Sequence, residues 1–172
     1  MDAPAESSTR VVELDGGPLD PLADRAAKAT VLLFTRGDCP ISNRYAPEVR
    51  RLHAEYGPRG VEFFLVYVDP DQSDDEVRAH VRDYGYACRV LLDRRHELVS
   101  LAGATITPEA ALYVAGRRLY RGRIDDRFAA LNVMRAQPTV RDLADALDAA
   151  LAGREPLVAE TLAIGCVIDD LR

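Results

Sequence analysis

Two unbroken apolar runs do most to limit what this chain can become. Ala29-Thr-Val-Leu-Leu-Phe-Thr-Arg36 and Val61-Glu-Phe-Phe-Leu-Val-Tyr-Val68 are of strand length, and neither alternates with polar residues as a half-exposed strand would. Between them Ile41, Tyr45, Val49, Leu52 and Tyr56 recur every three to four residues behind Pro40, while Arg44, Arg50 and Arg51 face away. This spacing predicts one amphipathic helix, opened by the proline and ended near Gly57-Pro58. Two buried strands joined by a helix imply parallel pairing in a sheet covered on both sides.

The rest of the chain extends that sheet. Arg10-Val-Val-Glu-Leu14 before Asp15-Gly-Gly-Pro18 predicts a short strand and turn. Ser73-Asp-Asp-Glu76 forms a capping box that opens a helix to about Tyr84, with Gly85 as its stop. Cys88 to Leu92 predicts a strand and Asp93 to Ala104 a short helix. Glu109–Val114 and Arg118–Arg123 flank Ala115-Gly116-Arg117 as a hairpin. After a polar, irregular stretch, Thr139 is expected to cap a last helix with Val140, Leu143, Ala144, Leu147 and Leu151 as its apolar stripe. The fold class is therefore α/β, a central mixed sheet of parallel strands with an antiparallel edge, flanked by helices. Residues 1–9 are expected to form a flexible N-terminus and 10–152 one domain. Residues 153–172, apolar around Ile164 and Val167, are expected to form a tail packed on that domain.

Composition removes several function classes. The net charge of −6 gives no basic footprint for nucleic acid. No apolar run approaches the length of a membrane span. The start, Met1-Asp-Ala-Pro-Ala-Glu-Ser-Ser8, lacks the basic and hydrophobic regions of a signal peptide. A cytoplasmic location is expected if the chain is complete, and a periplasmic or exported one if a leader was removed. The oligomeric state stays open. Three cysteines, Cys39, Cys88 and Cys166, are too few for a disulfide scaffold, and the absence of a Cys-x-x-Cys pair weakens a structural zinc site.

Cys39 is the chemically telling one. It falls where the first buried strand ends and the helix begins, at the convergence of unpaired backbone N–H groups that favour a thiolate. Ser42, three residues on, can turn its hydroxyl toward the sulfur. Arg36 and Arg44 add positive potential, and Asp38 opposes it. Cys88 heads a strand and is expected in the core. Cys166 lies in the tail, either as a bystander or, if the tail folds back to Cys39, as a resolving thiol. His53 and His80 are expected at the surface or boundary, and His96 is a weaker candidate for the site. Glu109 is expected as an edge-strand charge rather than a proton relay, and Arg123-Ile-Asp-Asp-Arg127 as an ion-pair cluster rather than a pocket wall.

A strand, Asp38-Cys-Pro-Ile-Ser-Asn-Arg44, an amphipathic helix and later Thr107-Pro108 before a strand together resemble the thioredoxin superfamily over most of residues 10–152. The local motif is similar to redoxin proteins of the peroxiredoxin-like (alkyl hydroperoxide reductase/thiol-specific antioxidant) group and to bacterial thioredoxin-like thiol–disulfide oxidoreductases. The resemblance implies a cis bond at Thr107–Pro108 facing the active cysteine and holding an extended substrate beside it. Two features depart from these families. Ser42 stands where a Cys-x-x-Cys motif has its second thiol. The peroxiredoxin signature Pro-x-x-x-Thr-x-x-Cys is unmet, with Leu32 and Arg36 at its proline and threonine positions.

The resulting expectation is a thiol-dependent redox protein that needs no cofactor. Cys39 is its nucleophile, Cys166 or an external thiol resolves the adduct, and Ser42, Thr107 and Pro108 shape the site. Its partner would be a thiol or disulfide, protein or small molecule. One alternative is a copper-binding or copper-delivery protein on the same fold, with Cys39, Cys166 and His96 as soft ligands. Another is an inactive redoxin-like binding module.

Overall fold

The structure, a computed structural model, describes residues 11–169. The expected loose segment at 1–9, together with residues 10 and 170–172, lies outside these. Strands β1 (Val11–Glu13) and β2 (Pro18–Leu19) form a small antiparallel ribbon, followed by β3 (Ala29–Thr35). Helices α1 (Pro40–Arg44) and α2 (Ala46–Tyr56) lead to β4 (Val61–Tyr67), then α3 (Asp74–Asp83), β5 (Arg89–Leu92) and α4 (Glu97–Ala102). The second half contains β6 (Ile106–Thr107), β7 (Glu109–Val114), β8 (Arg117–Gly122), β9 (Phe128–Ala130), β10 (Val133–Met134), α5 (Asp142–Leu151) and β11 (Cys166–Val167).

Seven strands make one sheet in the order β2-β1-β5-β4-β3-β7-β8. The two apolar runs are its centre: β3 and β4 pair in parallel along their whole length, from Ala29 opposite Val61 to Thr35 opposite Tyr67. β5 extends the parallel part beside β4, whereas β7 runs antiparallel on the other side of β3. Alternate side chains of β3 enter two cores. Val31 and Leu33 pack with α1, α2 and α5, while Leu32 and Phe34 pack with α4 and the tail residue Ile168. No helix among the described residues is long and apolar enough to cross a membrane.

Three local differences from the sequence expectations have physical causes. The single helix expected from Pro40 is broken at Tyr45, because Pro47 has no N–H to continue the ladder back to Asn43. The last helix begins at Asp142 rather than behind Thr139. The Thr139 amide and hydroxyl are instead bound to the Asp126 carboxylate. The irregular stretch after β8 contains the small β9–β10 hairpin. The expected hairpin is present, and its turn residues Ala115 and Gly116 both have positive φ (50° and 79°), as a two-residue primed turn requires.

Candidate active site

Cys39 caps α1. Its backbone is extended (φ −84°, ψ 108°), and its sulfur accepts the amide N–H of Ser42 at 3.4 Å, where a serine or aspartate oxygen would ordinarily sit. The thiol donates to the Thr107 carbonyl at 3.2 Å. With α1 only five residues long, these local donors and acceptors matter more than a helix dipole. Ser42 is buried with its cap amide on the sulfur, and its hydroxyl has no well-formed hydrogen bond.

Across from Cys39 lies β6. The Thr107–Pro108 bond is cis, and Thr107 is fully buried. Glu109 corrects the sequence expectation. It lies on the interior strand β7, 4% exposed, and its carboxylate accepts the amides of Thr105 (2.9 Å) and Ile106 (3.3 Å). It therefore holds the approach to Thr107 in place rather than decorating an edge.

The tail completes the site. Past α5 it runs beside β8, where the Arg121 amide donates to Ala159 O and the Thr161 amide donates to Arg121 O. It then enters β11, antiparallel to β6, with Cys166 opposite Thr107 and Val167 opposite Ile106. The Ile168 amide donates to Thr105 O at 2.9 Å, and the Thr107 hydroxyl to Cys166 O at 3.4 Å. Gly165 is required here: a Cβ at that position would sit 2.0 Å from the Thr107 carbonyl oxygen. Cys39, Ser42, Thr107, Pro108 and Cys166 are thus brought together from both ends of the chain.

Burial alone would raise the Cys39 thiol. Hydrogen bonding from Cys166, from the Ser42 amide and from the Thr107 side chain outweighs it, and the group titrates below its ordinary value. Cys166 is its counterpart, pushed up to about 12 by burial, by its hydrogen bond to Cys39 and by the charges of Cys39 and Asp38. The arginines contribute less than the sequence suggests. Arg36 is matched by Asp38, Asp69 and Asp169, and Arg44 reaches the Met134 sulfur. Cys88 is a core thiol, as expected, and burial pushes it up to about 12.

His96 does not join this group. It precedes α4 with φ 55°, and its Nε2 lies 2.7 Å from the Val68 carbonyl oxygen. The trio Cys39, Cys166 and His96 is not assembled, and no cluster of three or more His, Cys, Asp or Glu side chains among the described residues is placed to hold a metal ion. A groove of about 370 Å³ between α5 and the tail, lined by Tyr120, Asp145, Leu157 and Val158, contains none of the site residues.

His80 departs from the surface or boundary position expected for it. It is buried, with Nδ1 2.7 Å from the Tyr67 hydroxyl and Nε2 2.8 Å from Asn43 Oδ1. Asn43 in turn donates to the Gly37 carbonyl, pinning the loop that leads into Cys39. The signal was present: His80 lies three residues after Val77 and four before Tyr84, on the apolar side of its helix. In the Arg123–Arg127 segment the expected ion pairs form, Arg123 with Asp142 and Arg127 with Asp125, and Tyr45 donates to the Asp125 carboxylate at 2.8 Å.

Comparison with known proteins agrees with this architecture. Two curated relatives, both described as the thiol–disulfide oxidoreductase ResA, from Bacillus thuringiensis and Bacillus anthracis, are 26% identical over 102 residues. That stretch is 59% of this chain and 57% of theirs, so the match spans little more than half of the relatives' length. An uncharacterised conserved protein from Geobacillus kaustophilus superposes with a TM-score of 0.80 at 26% identity, covering 94% of this chain and 88% of its own. A secreted Mycobacterium tuberculosis disulfide oxidoreductase shares the fold at a TM-score of 0.57 and 18% identity, over 85% and 96% of the two chains. The Redoxin family model matches residues 3–119. With its mixed sheet, its cysteine at the strand–helix corner and a facing cis-proline, this thioredoxin-like chain belongs to the Redoxin family.

Proposed function

We propose that the protein is a thiol–disulfide oxidoreductase whose redox pair is Cys39 and Cys166. The observation that carries this reading is the docking of β11 on β6, which sets the tail cysteine opposite Thr107 while the Thr107 carbonyl accepts the Cys39 thiol. Cys39 supplies the stabilised thiolate, and Cys166 supplies the second sulfur that Ser42 cannot. When Cys39 has formed a mixed disulfide with a substrate, its negative charge is gone. One cause of the raised Cys166 value is thereby removed, and the tail thiol is freed to attack. That attack releases the substrate thiol and leaves a Cys39–Cys166 disulfide. The net change is one substrate disulfide reduced to two thiols and the protein dithiol oxidised. The curated relatives, described as thiol–disulfide oxidoreductases, support a partner of that class, protein or small molecule.

The test is a thiol count on the denatured protein before and after treatment with a disulfide oxidant. Wild type should lose two thiols in one chain, with peptide mapping locating the bond at Cys39 and Cys166. Cys166→Ser should lose none by internal pairing and should accumulate adducts instead. A wild type that retains three thiols, or pairs Cys88, would refute the assignment.

A further inference from the structure

Resting on that redox pair, we propose that Cys166 is the port through which external thiols enter. In the disulfide state the donor attacks the tail sulfur, and Cys39 leaves. This reverses the roles the sequence suggests, in which the corner cysteine faces the partner.

The inference stands first on access. Cys39 is 1% exposed and belongs to the core cluster built on α1, α2 and α5. Cys166 is only partly buried, and its neighbour Val167 is 62% exposed. The geometry of exchange sharpens the difference. Thiolate attack on a disulfide is in line, with the incoming sulfur opposite the leaving one. Cys39, 1% exposed, is reached only when β11 lifts from β6, the opening through which a substrate meets it in the dithiol state. Attack on Cys166 comes from outside, across a two-residue strand held to β6 at Thr107 and Ile106.

Leaving-group chemistry points the same way. Exchange is faster when the departing thiol has the lower pKa, and the hydrogen bonds around Cys39 favour its thiolate. The step balances: the donor thiolate forms a bond to Cys166 Sγ, the Cys39–Cys166 bond breaks, and its electron pair stays on Cys39. A second donor thiolate then attacks the donor sulfur of the mixed disulfide. Donor disulfide is released, and Cys166 takes up a proton. Two external thiols are oxidised for each protein disulfide reduced.

Gly165 makes the shielding testable without touching either sulfur. An alanine Cβ at that position, 2.0 Å from Thr107 O, must lift β11 from β6 and uncover Cys39. The experiment uses oxidised full-length protein, with the Cys39–Cys166 bond first verified by thiol count. Limiting reduced glutathione is added, the reaction is quenched with acid at early times, and the glutathione-bearing cysteine is mapped. Wild type should carry glutathione on Cys166 in about tenfold or greater excess over Cys39. In Gly165→Ala the Cys39 share should rise several-fold. Glutathione predominantly on Cys39 in wild type would overturn the proposal while leaving the redox pair intact. So would a partition that Gly165→Ala does not change. Absence of the disulfide at the verification step would remove the redox pair, and this inference with it.

Discussion

Replacing Glu109 with alanine tests whether β6 is held as the structure describes. The carboxylate accepts two backbone amides, Thr105 at 2.9 Å and Ile106 at 3.3 Å. Hydrogen bonds to a charged group contribute about 1.5–3 kcal/mol each when well buried. Two corrections lower the sum. Thr105 is exposed and Ile106 half-buried, so water recovers part of the loss, and removing a buried carboxylate also relieves its own desolvation. Arg121, 3.9 Å away, retains Glu160 as a partner. A net cost of about 2–3 kcal/mol remains, equivalent to a fall in Tm of about 4–12 °C for a chain of this size.

The assay is thermal unfolding of the reduced protein followed by circular dichroism, paired with the pH dependence of Cys39 alkylation. A loosened β6 displaces Thr107, whose side chain is one of the groups that favour the Cys39 thiolate, so the alkylation midpoint should move upward. A Tm change below about 2 °C together with an unchanged midpoint would refute the positioning role.

Two further predictions concern pH. Hydrogen bonds from the Thr139 hydroxyl and the Val140 amide hold Asp126 down at about 2, below its ordinary 3.8. A depressed folded value stabilises the fold above the ordinary pKa and is lost as pH falls through that window. Asp126→Asn should therefore flatten the acid limb of urea midpoints there; an unaltered limb would refute it. Cys88 has the opposite sign, raised from 9.0 to about 12 by burial. Its contribution is present below 9.0 and fades as pH rises toward 12, at up to about 1.4 kcal/mol per pH unit. Cys88→Ala should reduce the alkaline slope of stability by that amount, and an identical slope would show that the thiol does not titrate from a buried position.

The fold was legible because its centre is written in continuous apolar runs. β3 and β4 could hardly be anything but covered strands, and the turn at Ala115-Gly116 carried its own signal. Elements fixed by single polar contacts were not legible. Thr139 looked like a helix cap, yet its amide and hydroxyl are bound to Asp126, thirteen positions away. Glu109 looked like an edge charge because its two amide donors lie on the loop ahead of it, which local periodicity does not reveal. His80 sat on an apolar helical stripe, but its partners Tyr67 and Asn43 come from other elements. At the site, Cys39 was recognisable from its corner alone. The nearness of Cys166 followed from the apolar flanks of the tail, whereas the accessibility of the two sulfurs required the packed structure.

The proposed pairing of Cys39 with Cys166, rather than with a thiol at position 42, changes what oxidation would do to the molecule. A bond between residues 39 and 42 would close a loop of a few residues, whose entropy in the unfolded chain is small. A bond between Cys39 and Cys166 closes a loop spanning most of the chain, worth about 4–5 kcal/mol on the entropic model. By linkage, the folded protein must favour the disulfide over the dithiol by the same amount relative to the unfolded chain, about 100 mV for a two-electron couple. Part of the docking is already present in the dithiol state through the β6–β11 pairing. Its close packing depends on Gly165 at Thr107 and on Gly122, where a Cβ would meet Thr161 Oγ1 at 2.2 Å. The two glycines let the tail lie flat enough to bring its thiol to the corner cysteine, where the proposed Cys39–Cys166 bond would fasten the tail to the domain. Ser42 fits this arrangement because a thiol there would compete with Cys166 for Cys39 and leave the tail unfastened.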